Sequence, residues 1–178
     1  MRIHILTRQA SVELLGRAQW GRLACAHEGQ PYITPINYAY DDNYLYSFST
    51  IGRKITWMRA NSLVCVEVEE VTTQQDWATV IVLGNYEELP DNPAQDTHRK
   101  HAYDLLQRRP VWWEPGATTA FEERTHAAQF AFFRIYIDQV SGRRAVPDAS
   151  PSAAVRETRN QPTRWLRKIL SSGRMPKG

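Results

Sequence analysis

Two adjacent cations, Arg53 and Lys54, directly follow Gly52 at a point where a helix can begin, after a run from Tyr46 to Thr50 that alternates like a strand. The free N–H groups of a helix start favour anions, a glycine admits close backbone approach, and Ser49 and Thr50 add hydroxyls. Together these groups suit a phosphate monoester. A strand-to-helix turn with two solvated cations has the same tripeptide, so Gly52-Arg53-Lys54 is not diagnostic by itself.

The elements around this turn are short strands ended by polar turns. Gly21 to His27 alternates, with Leu23, Cys25 and His27 on one face and Arg22, Ala24 and Ala26 on the other, and Glu28 to Pro31 reads as a hairpin turn. Tyr32 to Tyr40 is the second strand. Pro35 has no N–H for a ladder, so this strand lies at an edge or carries a bulge there. After a turn at Asp41 to Asn43, Tyr44 to Thr50 forms the third strand. A helix follows from about Arg53 to Ala60, with Ile55 and Met58 inward, Trp57 partly inward and Asn61 as its stop. Leu63 to Val68, Asp76 to Leu89 with a bend at Gly84, and Gln129 to Val140 bring the count to six β segments, which suits a small closed barrel. Along the last of these, Phe130, Phe132 and Arg134 take one side and Ala131, Phe133 and Ile135 the other. Two further helices are expected. One is capped by Thr7 and runs to about Gln19; the other runs from Pro93 to Arg109, with Asn92 as cap and Ala94, His98, Ala102 and Leu105 as its stripe.

Taken whole, Gly21 to Val68 resembles the flavin-binding split-barrel proteins related to pyridoxamine 5′-phosphate oxidase. The resemblance rests on Gly21 to Ala24, Gly29 to Asp41, Leu45 to Lys54 and Asn61 to Val68. It extends from about Thr7 to Arg144 and is closest to the small branch that includes the nitroimidazole-resistance reductases. It implies a mainly β fold with flanking helices, a six-stranded split β-barrel of Greek-key type. It also implies FMN at the interface of a homodimer, with the phosphate near Arg53 and Lys54. Phe48, Ser49 and Thr50 then lead into the phosphate turn. The backbone of Thr34, Pro35, Ile36, Asn37 and Tyr38 meets the ring, and Thr79 matches a polar position that touches the flavin in the oxidase. The oxidase's C-terminal tryptophan and its arginine/histidine substrate motif have no counterpart in residues 141 to 178, which argues against vitamin B6 oxidation. Phe48 stands where the nitroimidazole-resistance branch often has a histidine.

Composition bounds the remaining possibilities. A chain of 178 residues with 42% apolar residues can bury one main core. No run of eighteen apolar residues and no apolar leader stretch occur, so a soluble, cytoplasmic protein without a membrane span is expected. From Ala145 onward seven Lys or Arg face two Asp or Glu, a net of +5 against +3 for the whole chain, which leaves −2 on residues 1 to 144. The basic character therefore belongs to a Pro/Ser-rich linker and amphipathic tail, residues 145 to 178, distinct from a domain of residues 1 to 144. With few interleaved aromatics the tail is not read as a nucleic-acid site. Cys25 and Cys65 fall inside apolar strand patterns and form neither a disulfide nor a metal site. His98 and His101 stand among cations, so a solvated helix face is expected there rather than a metal.

No side chain stands out as a catalytic acid, base or nucleophile, which in a flavoenzyme leaves the redox chemistry to the cofactor. The expected activity is a flavin-dependent reductase or oxidase of a small planar substrate, with NADH or NADPH as a candidate donor. The substrate would lie in a cleft lined by Tyr38, Phe48 and Trp112 or Trp113. A non-catalytic flavin carrier or sensor, and a haem- or deazaflavin-binding barrel, are the alternatives.

Overall fold

The structure, a computed structural model, describes residues 1–109 and 130–148. Among them are eight strands and three helices, in the order β1 (Arg2–Ile5), α1 (Arg8–Arg17), β2 (Trp20–His27), β3 (Gln30–Asn37), β4 (Ala39–Asp41), β5 (Tyr44–Thr50), α2 (Arg53–Ala60), β6 (Leu63–Thr73), β7 (Asp76–Glu88), α3 (Asp96–Gln107) and β8 (Phe130–Val146). All strand pairs are antiparallel and form one sheet, β3-β2-β6-β7-β8-β5-β4, with β1 added on β8. β3 and β4 are its two end strands, and the chain crosses from one to the other through Tyr38. The sheet rolls around its core without closing, which is the split barrel. The expected split barrel is borne out, with eight strands among the described residues rather than six and without the closure that the strand count alone suggested.

Alternation along the strands decides what is buried. Leu23, Cys25, Val64, Val66, Val68, Ala78, Val80, Val82, Phe133, Ile135 and Ile137 share the inner cluster with Leu14 and Leu15 of α1 and Ile55 and Met58 of α2. The other face of β5 and β8 carries Tyr46, Phe48 and Phe132, and α3 covers it with Ala102, Tyr103 and Leu106. From Ala131 to Ile135 β8 therefore buries both of its faces, as its two apolar alternations there require, and from Tyr136 on one face is exposed.

Several local expectations hold. The Thr7 hydroxyl accepts from Ala10 N at 3.1 Å and caps α1. The β2–β3 hairpin turns at Glu28 and Gly29, both with positive φ. Pro35 pairs with Arg22 in unbroken register on an edge strand, so the proline is accommodated by the edge rather than by a bulge. At Gly84 the β7–β8 register shifts, and an added Cβ would lie 2.2 Å from the Tyr136 carbonyl oxygen, so only glycine fits.

Two boundaries differ. Asn92 does not cap α3: its side chain accepts from Gln95 N at 3.1 Å and forms a turn ahead of the helix, which begins at Asp96. The buried stripe is accordingly Arg99, Ala102, Tyr103 and Leu106, and His98 is exposed. β8 runs through Ser141 to Arg144 and ends at Val146, with Ala145 fully buried, so the compact unit reaches Pro147 rather than Arg144. The expectations for Trp112, Trp113 and the tail from Ala149 onward fall outside the described residues. No helix among the described residues is long and apolar enough to cross a membrane.

Candidate anion and ligand site

The turn from β5 into α2 is built as an open helix start. Gly52 is the N-cap with extended backbone and no side-chain cap, and the first turn contains no acidic residue. A Cβ built on Gly52 would meet nothing within 4 Å, so the space beside this residue is open. The helix is held from below by Ile55 and Met58 in the core, which fixes the direction of its first turn. Ser49 is buried, with its hydroxyl donating to the Thr50 carbonyl at 2.9 Å, and Thr50 is exposed.

Neither cation of the turn forms an ion pair among the described residues, whereas Arg17, Arg22, Arg59 and Arg134 are each matched by a carboxylate. Lys54 is half-buried, and burial lowers its pKa from the ordinary lysine value, with Cys25 as the group that opposes the shift. An unmatched amine in that position favours an incoming anion. Arg53 lies with its guanidinium carbon 5.4 Å from the Tyr32 ring centroid and 5.9 Å from that of Trp57. Tyr32 and Trp57 meet edge to face at 5.7 Å, and His27 flanks Trp57 at 5.9 Å. Sequence reasoning placed Trp57 only as packing and did not include Tyr32. The signal was present in Arg53 and Trp57, four apart on one helix.

The edge strand supplies a second feature. Asn37 is 1% exposed, its main-chain oxygen accepts from Ser47 Oγ at 2.7 Å, and among the described residues neither atom of its carboxamide has a hydrogen-bond partner. A buried, unsatisfied donor and acceptor on one side chain is exceptional in a folded protein. Thr34 is half-buried, Pro35 is exposed, and Ile36 is buried in the inner cluster.

Other expected site residues are placed differently. The Tyr38 side chain is fully buried, its hydroxyl donates to the Leu15 carbonyl at 2.9 Å, and its N–H donates to the Gln19 carbonyl at 3.2 Å. Burial also raises the Tyr38 pKa. Phe48 is buried in the cluster under α3, stacked on Phe130 at 5.2 Å and packed on Phe132 at 4.7 Å. The two rings lie in separate clusters on opposite faces of the sheet, so one chain does not bring them into one cleft, which corrects that expectation. Thr79 faces away from the inner cluster, and its hydroxyl donates to Glu67 at 3.2 Å, so one chain does not bring it to Lys54. Nor is the α3 histidine face merely solvated. His98 Nδ1 lies 3.3 Å from an Arg134 nitrogen, and His101 Nε2 lies 2.8 Å from Asp41 Oδ2.

On the outer face of the sheet, Ile33, Leu63 and Leu83 are 62%, 65% and 45% exposed. A groove of about 510 Å³ lies there, lined by Ala24, Ala26, Pro31, Leu63, Cys65 and Leu83 among others. An apolar patch of this kind marks a contact surface.

Comparison with known proteins gives consistent matches. The family model described as pyridoxamine 5′-phosphate oxidase matches residues 7–144. A protein from Rhizobium meliloti is 38% identical over 146 residues, covering 82% of this chain and 97% of its own length. The crystal structure of an FAD-binding protein from Mesorhizobium loti is 46% identical, covers 82% of this chain and 99% of that one, and superposes with a TM-score of 0.69. A Bacteroides thetaiotaomicron structure solved under the name of a 5-nitroimidazole antibiotic resistance protein shares the fold. It is 18% identical with a TM-score of 0.58, covering 81% of this chain and 89% of that one.

Proposed function

The chain belongs to the pyridoxamine 5′-phosphate oxidase family, and from that premise we propose that it is a flavin-binding oxidoreductase that acts as a homodimer on a small planar substrate. The observation that carries this reading is the pair Arg53 and Lys54. Among the described residues neither is matched by a carboxylate, and they stand at an uncapped helix start with open space over Gly52.

A flavin phosphate fits this donor set. The N–H groups of the first α2 turn, the Lys54 amine and the Arg53 guanidinium supply charge-assisted hydrogen bonds, with the Thr50 hydroxyl beside them. The unsatisfied Asn37 carboxamide and the edge backbone of Thr34 to Ile36 match a ring whose rim alternates donors and acceptors. Tyr38 contributes by closing the core beneath this strand, with its N–H and hydroxyl already used. The bound flavin supplies hydride and electron transfer; the protein orients it and excludes water from one side.

The homodimer reading rests on the apolar outer face. A second copy seated there covers Ile33, Leu63 and Leu83, and it lets Thr79, on that face, serve the partner's flavin rather than its own. FMN is the expected cofactor. The Mesorhizobium loti relative, an FAD-binding protein, extends the candidate class to flavin nucleotides in general. NADH or NADPH is the proposed donor.

Adding FMN or FAD to the purified protein tests the reading. Quenched flavin fluorescence and a shifted visible band at one equivalent per chain are expected. Free-flavin spectra at all ratios would end it. Stopped-flow reduction by NADH or NADPH, followed by reoxidation with quinones or nitroaromatics, tests turnover.

A further inference from the structure

We propose that Tyr32 and Trp57 form a ledge for the adenine ring of an adenine nucleotide whose phosphates lie on the Gly52–Lys54 turn. The inference rests on the flavin reading for its phosphate end and names what lies beyond it.

Tyr32 is the third residue of the edge strand β3, near its start, and Trp57 lies one helical turn after Arg53. Their rings meet edge to face at 5.7 Å, with His27 at 5.9 Å from Trp57. Both rings pack against the inner cluster and remain half-buried. The Arg53 guanidinium lies over both, 5.4 Å and 5.9 Å from the two centroids. Arg53 is itself exposed and has no carboxylate partner among the described residues. A cation over a partly exposed ring is held less strongly than by the charge-assisted hydrogen bonds that a phosphate offers the same guanidinium. An arriving phosphate therefore draws Arg53 off the rings and leaves two aromatic surfaces open beside it.

The chemistry of the ledge is that of base stacking rather than anion binding. Base–aromatic stacking contributes roughly a factor of ten or more in affinity per base and tolerates any planar base. The surroundings fit a nucleotide. Lys54 adjoins Arg53 in the chain and interacts with Cys25, and Glu28, 3.9 Å from His27 Nε2, points mostly into solvent with a side chain 86% exposed. Cys25, the group that interacts with Lys54, is the register partner of Tyr32, so phosphates and base lie at one end of β3. Asn37 lies at the other end, about 17 Å away along five extended residues. A ligand laid along this strand meets Asn37, then the cations, then the ledge.

The adenine can come from FAD itself or from NADH or NADPH, and calorimetric titration of the full chain separates them. FAD is expected to bind wild type about tenfold more tightly than FMN. Tyr32→Leu should remove that advantage while leaving FMN affinity within twofold, and Trp57→Leu should act likewise. If wild type binds FAD and FMN equally, the nicotinamide nucleotide is the source, provided that ADP competes with NADH for the flavin-free protein and Tyr32→Leu weakens NADH binding about tenfold. Equal FAD and FMN binding with no effect of ADP, and folded variants unchanged toward NADH, would overturn the ledge. If neither flavin binds wild type, the flavin reading fails and ADP alone decides. ADP binding weakened by Tyr32→Leu keeps the ledge; no ADP binding ends it.

Discussion

Ser47 Oγ donates to the main-chain oxygen of Asn37 at 2.7 Å, with both groups buried. This bond joins β5 to the edge strand β3 across the open side of the sheet, where no ladder does so. It also fixes the backbone at the residue whose carboxamide is unsatisfied.

Ser47→Ala should therefore destabilise the fold by about 1–3 kcal/mol, the range for leaving a buried acceptor without its donor. Urea denaturation should show a lower midpoint with an unchanged slope. Flavin affinity should fall in parallel as the Asn37 segment loosens. A variant as stable as wild type would mean that the bond does not hold the two strands.

Lys54 is predicted to cost the ligand-free fold stability. Its pKa is lowered by burial, so at neutral pH the unfolded chain holds this proton more readily than the folded one. Stability from this group thus increases as pH rises toward the ordinary lysine value of about 10.4. Lys54→Met should raise the melting temperature at pH 7 and remove that alkaline gain. A melting temperature lowered by the substitution would contradict the desolvated, unmatched amine.

The acid side is governed by a different pair. Hydrogen bonds from Arg59, at 2.7 Å to each carboxylate oxygen, hold the Glu88 carboxyl below its ordinary range, and the Tyr86 hydroxyl adds a third at 2.8 Å. A depressed carboxylate contributes stability above its unfolded pKa, about 4.3, and loses it as pH falls through the lower folded value. Glu70, held down by Arg17, has the same sign. Glu88→Gln should flatten the loss of stability below about pH 4.3 relative to wild type. An unchanged acid limb would remove Glu88 from the account.

Where local signals were strong, the chain could be read directly. α2 begins at Arg53 and ends at Ala60 as its helical spacing and Asn61 indicate, and the Glu28–Gly29 hairpin follows from its turn residues. Where tertiary pairing overrides local signals it could not. Ser141 to Arg144 looks like a turn, yet it is strand because β7 and β1 both pair with it. Leu6 N donates to the Gly142 carbonyl at 2.9 Å, and a Cβ on Gly142 would lie 2.6 Å from Ser11 Oγ. β1 has four exposed residues and exists only through that partner, so no burial pattern announces it. In the candidate site, the cationic turn was visible as residue types. The unsatisfied Asn37 carboxamide and the Tyr32–Trp57 pairing were not, because each depends on what lies across space rather than along the chain.

The central claim is that Lys54 and Arg53 hold a flavin phosphate, and the most direct measurement is FMN affinity of wild type against Lys54→Ala by fluorescence titration. The account predicts at least a tenfold loss with an unchanged circular dichroism spectrum, the scale of one charge-assisted phosphate contact. Equal affinity in the two folded proteins would contradict it.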